Sequence, residues 1–317
     1  MSSDHVSRRD LFLGAGMTAG ALAAAGAVGG IAYAPATQAA LSKSRQYFAT
    51  NIALELDGVS AGRLVSAEGG EPFIVPGVVS GTDRTGPSLR YETLTVRLGD
   101  MSAALYDWIG KATTGSATPR GVTVATYNLD KEIYRLAMQN VQLTEVRLDD
   151  LDAAKTDAAR FTVKMAPALS AHQFGGTASA AAIANQKISP ILRSNFKLYI
   201  QGVEAATIRA RSIDSVGLKI DSGVVAPLAL KFAVPFNNAG PLFSWMQETL
   251  AGKSAMRSGE LQLLTRDLAK VAASVGFTQL MITRISCPAE AASGSIQHAE
   301  VECVPTSVSF NMGDLVK

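Results

Sequence analysis

The chain has 317 residues, 47% of them hydrophobic and 18% charged, with a formal net charge of +2. That length exceeds one ordinary domain, so two are expected. Residues 45–164 carry two more acidic than basic side chains and residues 193–317 two more basic than acidic; a swing that small does not suggest the concentrated basic face that specific nucleic-acid binding requires.

Residues 1–39 stand apart from the rest. Ser7-Arg8-Arg9-Asp10-Leu11-Phe12-Leu13 resembles the twin-arginine export signal, in which paired arginines precede an apolar run. Residues 11–34 carry no charge and are mostly Ala and Gly. Small-residue ends follow at Ala34-Pro35-Ala36 and Thr37-Gln38-Ala39, either of which suits a cleavage site. The stretch is long enough to cross a bilayer, but Gly and Ala supply little transfer energy, so a cleaved leader is the better reading. Twin-arginine export carries folded proteins. The resemblance thus implies membrane contact only during export, and work in the periplasm or outside the cell.

A first unit is expected over residues 44–165. Ile52, Leu54 and Leu56 alternate with polar residues, the mark of a strand with one buried face, and Gly58 can turn the chain into a second strand. A loop over 68–88 is rich in Gly and Pro yet holds Phe73-Ile74-Val75 and Val78-Val79. Apolar loop residues need cover, either from their own barrel or from a neighbouring subunit. Leu94, Val96 and Leu98 form the next strand. A helix capped by Asp100 then presents Leu105, Trp108 and Ile109. Gly121 opens a strand with Val122 and Val124; Val141, Leu143 and Val146 follow, and Phe161, Val163 and Met165 close the unit.

Residues 166–191, low in charge and rich in Ala, Ser and Gly, read as a linker, with a helical turn or two over 178–185. Residues 192–317 then repeat the same order. Phe196, Leu198, Ile200 and Gly202 match the first strand and turn; Leu230, Phe232 and Val234 match the third strand. Between them lies an apolar segment, 212–227, with Val216, Leu218 and Ile220. Asn238 is the expected cap and Pro241 the first turn of a helix carrying Leu242, Trp245 and Met246. Gly259, then Leu280, Ile282, Ile285, Val301 and Cys303 complete the match. The only two tryptophans of the chain fall at equivalent places. The pattern reads as a tandem duplication. The expected fold class is mainly β with α: two tandem antiparallel β-barrels, each of about six strands with one flanking helix.

Catalytic chemistry finds no inventory here. Of three histidines, His5 lies in the leader, His172 in the linker and His298 alone in a unit, so no pair has metal-ligand spacing. No nucleophile elbow, phosphate loop or dinucleotide fingerprint occurs. We expect no enzyme, no cofactor and no metal. Asp149, Asp150, Asp152 and Asp157, near Lys155 and Arg160, fit either a weak hard-cation site or a solvated turn. Cys287 and Cys303 flank the last turn and are a candidate disulfide in an oxidising compartment; two buried free thiols are the alternative.

Taken in order, a strand ending in Gly-Val, an extended apolar loop, a strand, an L-x-x-W-I or L-x-x-W-M helix and three closing strands resemble the tail tube protein of contractile-tail bacteriophages. More distantly they resemble the tube protein of type VI secretion systems. The resemblance covers about three quarters of the chain. It implies barrels set side by side in a ring of six, stacked into a tube; a two-barrel chain would close that ring as a trimer with pseudo-sixfold symmetry. It also marks Phe73, Ile74, Val75, Val78 and Val79, with Val216, Leu218 and Ile220, as subunit-interface residues. The export leader departs from the phage pattern, so passage of DNA is not carried over. The alternative function is an exported, non-catalytic double-barrel binding protein that stays monomeric.

Overall fold

A computed structural model describes residues 51–312, apart from 77–78, 81–82, 85, 100, 129–130, 175–190, 215, 222, 254 and 288–295. The leader, Asp100, Val78 and the run 178–185 thus lie outside the described residues. In chain order the first part comprises β1 (Asn51–Leu56), β2 (Val59–Glu68), β3 (Pro72–Val75), β4 (Val79–Ser80), β5 (Asp83–Arg84), β6 (Ser88–Tyr91), β7 (Leu94–Leu98) and α1 (Ala103–Thr113). Then come β8 (Arg120–Asn128), β9 (Lys131–Leu148), β10 (Leu151–Asp152), β11 (Phe161–Ala166) and β12 (Leu169–Phe174). The second part comprises β13 (Phe196–Ile200), α2 (Glu204–Thr207), β14 (Ser212–Ile213), β15 (Val216–Asp221), β16 (Val224–Pro227), β17 (Leu230–Pro235) and α3 (Gly240–Leu250). It ends with β18 (Arg257–Leu264), β19 (Val271–Ser286), β20 (His298–Val304) and β21 (Ser307–Met312).

The chain is mainly β with α, and it forms two antiparallel barrels. In the first, pairing runs β9–β8–β1–β2–β7–β11 and returns from β11 to β9, closing the sheet on itself. The alternation read from the sequence is the barrel's inside: Leu54, Leu56, Val96, Leu98, Val122, Val146 and Val163 are all buried. Asp57 and Gly58, with φ of +50° and +80°, make the two-residue turn between β1 and β2, the conformation whose twist matches a hairpin.

The second barrel runs β13–β18–β19–β20–β17–β14, and here one expectation fails. The strand anticipated after Gly202 is the helical turn α2 instead. Glu204, Ala205 and Ala206 are good helix formers, and the Glu204 carboxylate accepts from the Gly202 amide at 2.8 Å. Thr207 Oγ1 accepts from the Ile200 amide at 3.3 Å, satisfying an edge that a strand would otherwise pair.

Three smaller expectations also change. The α1 cap is Ser102, whose Oγ accepts from the Leu105 amide at 3.3 Å. Asn238 ends a 3-10 turn, Phe236–Asn238, so α3 is capped at Ala239 without a side-chain bond; Pro241 does sit in its first turn. The segment read as a linker begins as β12, paired with the first half of β9, and Ile191 at its far end accepts from the Ala159 amide at 2.8 Å.

The long strands β9 and β19 share a bend that the sequence did not announce. Asn140 and Gln279 have φ of +51° and +50°, each beside a register shift against β8 and β18 respectively. Such a bulge turns a strand and redirects its edges. Before the bend β9 pairs β8 and β12; after it, β11 and β15. β19 pairs β18 and β21 before its bend and β20 after it.

The tryptophans hold equivalent posts. Trp108 Nε1 donates to the Thr118 carbonyl at 3.1 Å and Trp245 Nε1 to the Ala255 carbonyl at 2.6 Å, ten residues on in both cases. Both rings are fully buried. Trp108→Ala and Trp245→Ala should each destabilise the protein by about 3–5 kcal/mol, and each Trp→Phe by less, since it removes the donor and keeps the ring. Urea denaturation of the four variants checks this order.

Candidate assembly interface

The residues marked as interface fall into two groups. Val216 and Leu218 are buried and Ile220 is packed against the core, because the β15–β16 hairpin of the second barrel adds to the first barrel's sheet. Val216, Gly217, Leu218 and Lys219 pair antiparallel with Leu148, Arg147, Val146 and Glu145 on the bent half of β9. The approach is tight. A Cβ on Gly217 would stand 2.2 Å from the Val146 carbonyl oxygen and 2.9 Å from the Arg147 Cα. Lys219 faces Glu145 in the register, and Glu145 also accepts from Lys164 Nζ at 2.9 Å.

Around this strand addition the barrels are tied twice more. β10 pairs β14, Leu151 opposite Ile213. The acidic stretch is what secures this end. Arg193 bonds the Asp150 carboxylate, donates Nε to the Asp150 carbonyl at 2.7 Å and reaches Asp157 at 3.3 Å. Arg211 stands 3.7 Å from Asp152, and Arg97 pairs Asp149. The aspartates thus meet arginines from both barrels; among the described residues, no cluster of His, Cys, Asp or Glu is arranged to hold a metal ion. At the other end, β21 of the second barrel packs on α1 of the first.

The first barrel's own hairpin is the second group. β3 and β6 pair with one another; Phe73, Ile74 and Leu89 on them are exposed and Val75 is half-buried. Val79 lies in β4, which among the described residues pairs β5 alone, and Val78 lies outside the described residues. Correspondingly, after its bend β19 pairs β20 through Met281–Ser286, and among the described residues no strand takes its other edge.

Three other features bear on function. Glu55, Glu132 and Arg135 form a half-buried ionic cluster in which all four carboxylate oxygens accept from the guanidinium, at 2.7–3.2 Å. The bond to Glu132 foremost raises the Arg135 pKa against the effect of burial. A cleft of about 240 Å³ lies between Trp108, Ala112 and Thr118 on one side and Ile220 and Gly223 on the other; drug-sized ligands generally occupy about 300–1,000 Å³. The cysteines do not face one another. Cys303 pairs in register with Ile282, Cys287 lies beyond Ser286, and both thiols are free. Cys287 is exposed, whereas burial pushes the Cys303 thiol up to about 12.

Sequence reasoning reached the hairpins but not what they meet. Gly217, the bent half of β9, Arg193 and the β21–α1 contact carried no local signal, because each acts on a partner remote in the chain.

No family model and no curated protein matches the chain. Solved structures similar to it include a sheath/tube terminator of the PVC extracellular contractile injection system, at 14% identity over 39% of this chain and 93% of that one, TM-score 0.31. Hcp1 from Flavobacterium johnsoniae is 17% identical over 36% and 93%, TM-score 0.28. Hcp1 from the E. coli EAEC 042 pathovar, in a form carrying two introduced tryptophans, is 14% identical over 39% and 97%, TM-score 0.27.

Gly217→Val should drive β15 off β9, destabilising the protein by about 1–3 kcal/mol and raising amide exchange at 145–148. Gly240→Ala, whose Cβ meets nothing within 4 Å, is the control and should leave exchange at 145–148 unchanged without lowering stability.

Proposed function

We propose that this chain is a structural subunit that associates with copies of itself, head to tail, into rings that stack as a tube. The observation that carries the reading is the addition of β15 to β9. One barrel's hairpin adds to the next barrel's sheet, so the contact is directional, and a directional contact repeats, closing into a ring when its rotation allows and running on as a filament when it does not; the resemblance to tail tube proteins favours the ring. Among the described residues of one chain it is made once. The β3–β6 hairpin at one end and the Met281–Ser286 edge at the other are the same parts left over, and an open sheet edge is a template for another chain. The count comes from the resemblance to tail tube proteins: three chains, six barrels, a trimer with pseudo-sixfold symmetry. No catalytic step is assigned.

On the same reading the assembly works outside the cytoplasm, its chain exported already folded; the twin-arginine pattern of the leader is what supports this. Two experiments test the proposal. Light scattering with negative-stain imaging of the exported protein at high concentration should show rings of six lobes; a monomer at every concentration would favour the double-barrel binding protein instead. Arg8→Lys combined with Arg9→Lys should leave the protein in the cytoplasm with its leader attached, read by fractionation and intact mass. Unchanged export would overturn that part.

A further inference from the structure

The joint inside the chain has a second component beyond the strand addition, and its vacant counterpart can be located. α1 and α3 are equivalent helices, and their outward faces differ in cover. Tyr106, Ile109 and Thr113 lie on one face of α1, at i, i+3 and i+7; the same positions of α3 are Phe243, Met246 and Leu250. Tyr106 is 9% exposed, Ile109 fully buried and Thr113 half-buried, whereas Phe243, edge-on to Phe236, is 37% exposed, Met246 half-buried against the core and Leu250 77% exposed. α1 packs against β21, and also against β2 and β9 of its own barrel; the Tyr106 ring stands edge-on to Phe161 of β11, 6.3 Å away. Val308 and Phe310 of β21 are buried, opposite Phe277 and Val275 of β19.

The counterpart of β21 in the first barrel is β12. It lies on β9 as β21 lies on β19, antiparallel and before the bend. On the matching face it carries His172 and Phe174. Tyr134, opposite Phe174 in the register, bonds His172 Nδ1 through its hydroxyl at 2.7 Å, and its ring stands 5.5 Å from the Phe174 ring. Even so, Phe174 is 81% exposed. An aromatic held in place by neighbours and left open to water, and a helix face more open than its twin, are complementary halves.

We propose that β12 and the β3–β6 hairpin of one copy dock on the Phe243–Met246–Leu250 face of α3 and the Met281–Ser286 edge of β19 in the next copy, repeating between chains the joint that β21 and β15 make within one. The inference rests on the reading of the chain as a self-associating subunit, and it names both surfaces of the contact. The two surfaces differ, so the contact is heterologous and each copy carries one of each.

That asymmetry gives the test. A donor variant, Ile74→Asp with Phe174→Asp, and an acceptor variant, Phe243→Lys with Leu250→Lys, are made in the full chain and purified beside the wild type. Each alone is expected to be monomeric by light scattering, with an unchanged melting temperature. Mixed one to one, they should form a complex of two chains and no larger, because a single intact donor then faces a single intact acceptor. Variants that assemble like the wild type, or a mixture that stays monomeric, would overturn the inference and leave self-association standing. A wild type that is monomeric throughout would overturn both. If a double variant melts early, Phe174→Asp and Leu250→Lys singly are mixed instead, and the same outcomes decide.

Discussion

A β-strand has only two edges, and the whole architecture depends on one strand serving four neighbours with them. The bend at Asn140 divides the 18-residue β9 into two segments whose edges face different ways. The first segment holds β8 and β12; the second holds β11, which closes the barrel, and β15, which brings in the other barrel. A straight strand would run its β8 edge on into solvent. The bend both seals one barrel and exposes a short stretch of backbone for the next.

The joint gains its strength from being dry and close. Gly217 lets the two backbones approach with nothing between them, and one continuous core runs through both barrels. Arg193 and Arg211 then fasten the open end to the acidic stretch. Those ion pairs are partly exposed, so each contributes little by itself; their effect is to fix the register of a contact whose stability comes from apolar burial.

Much of this was legible in the residues. Period-two alternation in 52–56, 94–98 and 196–200 named strands because each has one wet and one dry face, and the two tryptophans located equivalent helices. The misses have physical reasons. Val203, Ala206 and Ile208 suit either a strand or a turn of helix, and the Glu204 carboxylate decided for the helix. β12, Leu-Ser-Ala-His-Gln-Phe, lacks alternation; the free edge of β9 makes it a strand. Val216, Leu218 and Ile220 showed that something must cover them, but no local pattern says whether that is the same molecule or another. The leftover surfaces were hidden for the same reason, since Phe243 looks like an ordinary helix residue until its twin on α1, Tyr106, is seen to be buried.

Fusing two barrels in one polypeptide has an arithmetical consequence. Because β15 always joins the second barrel to the first, any closed circle of these chains contains an even number of barrels. Its wall must also alternate, with an all-strand barrel beside one in which α2 replaces a strand. Odd closures are forbidden by covalent linkage, and the two kinds of wall are free to diverge in chemistry while the circumference stays the same.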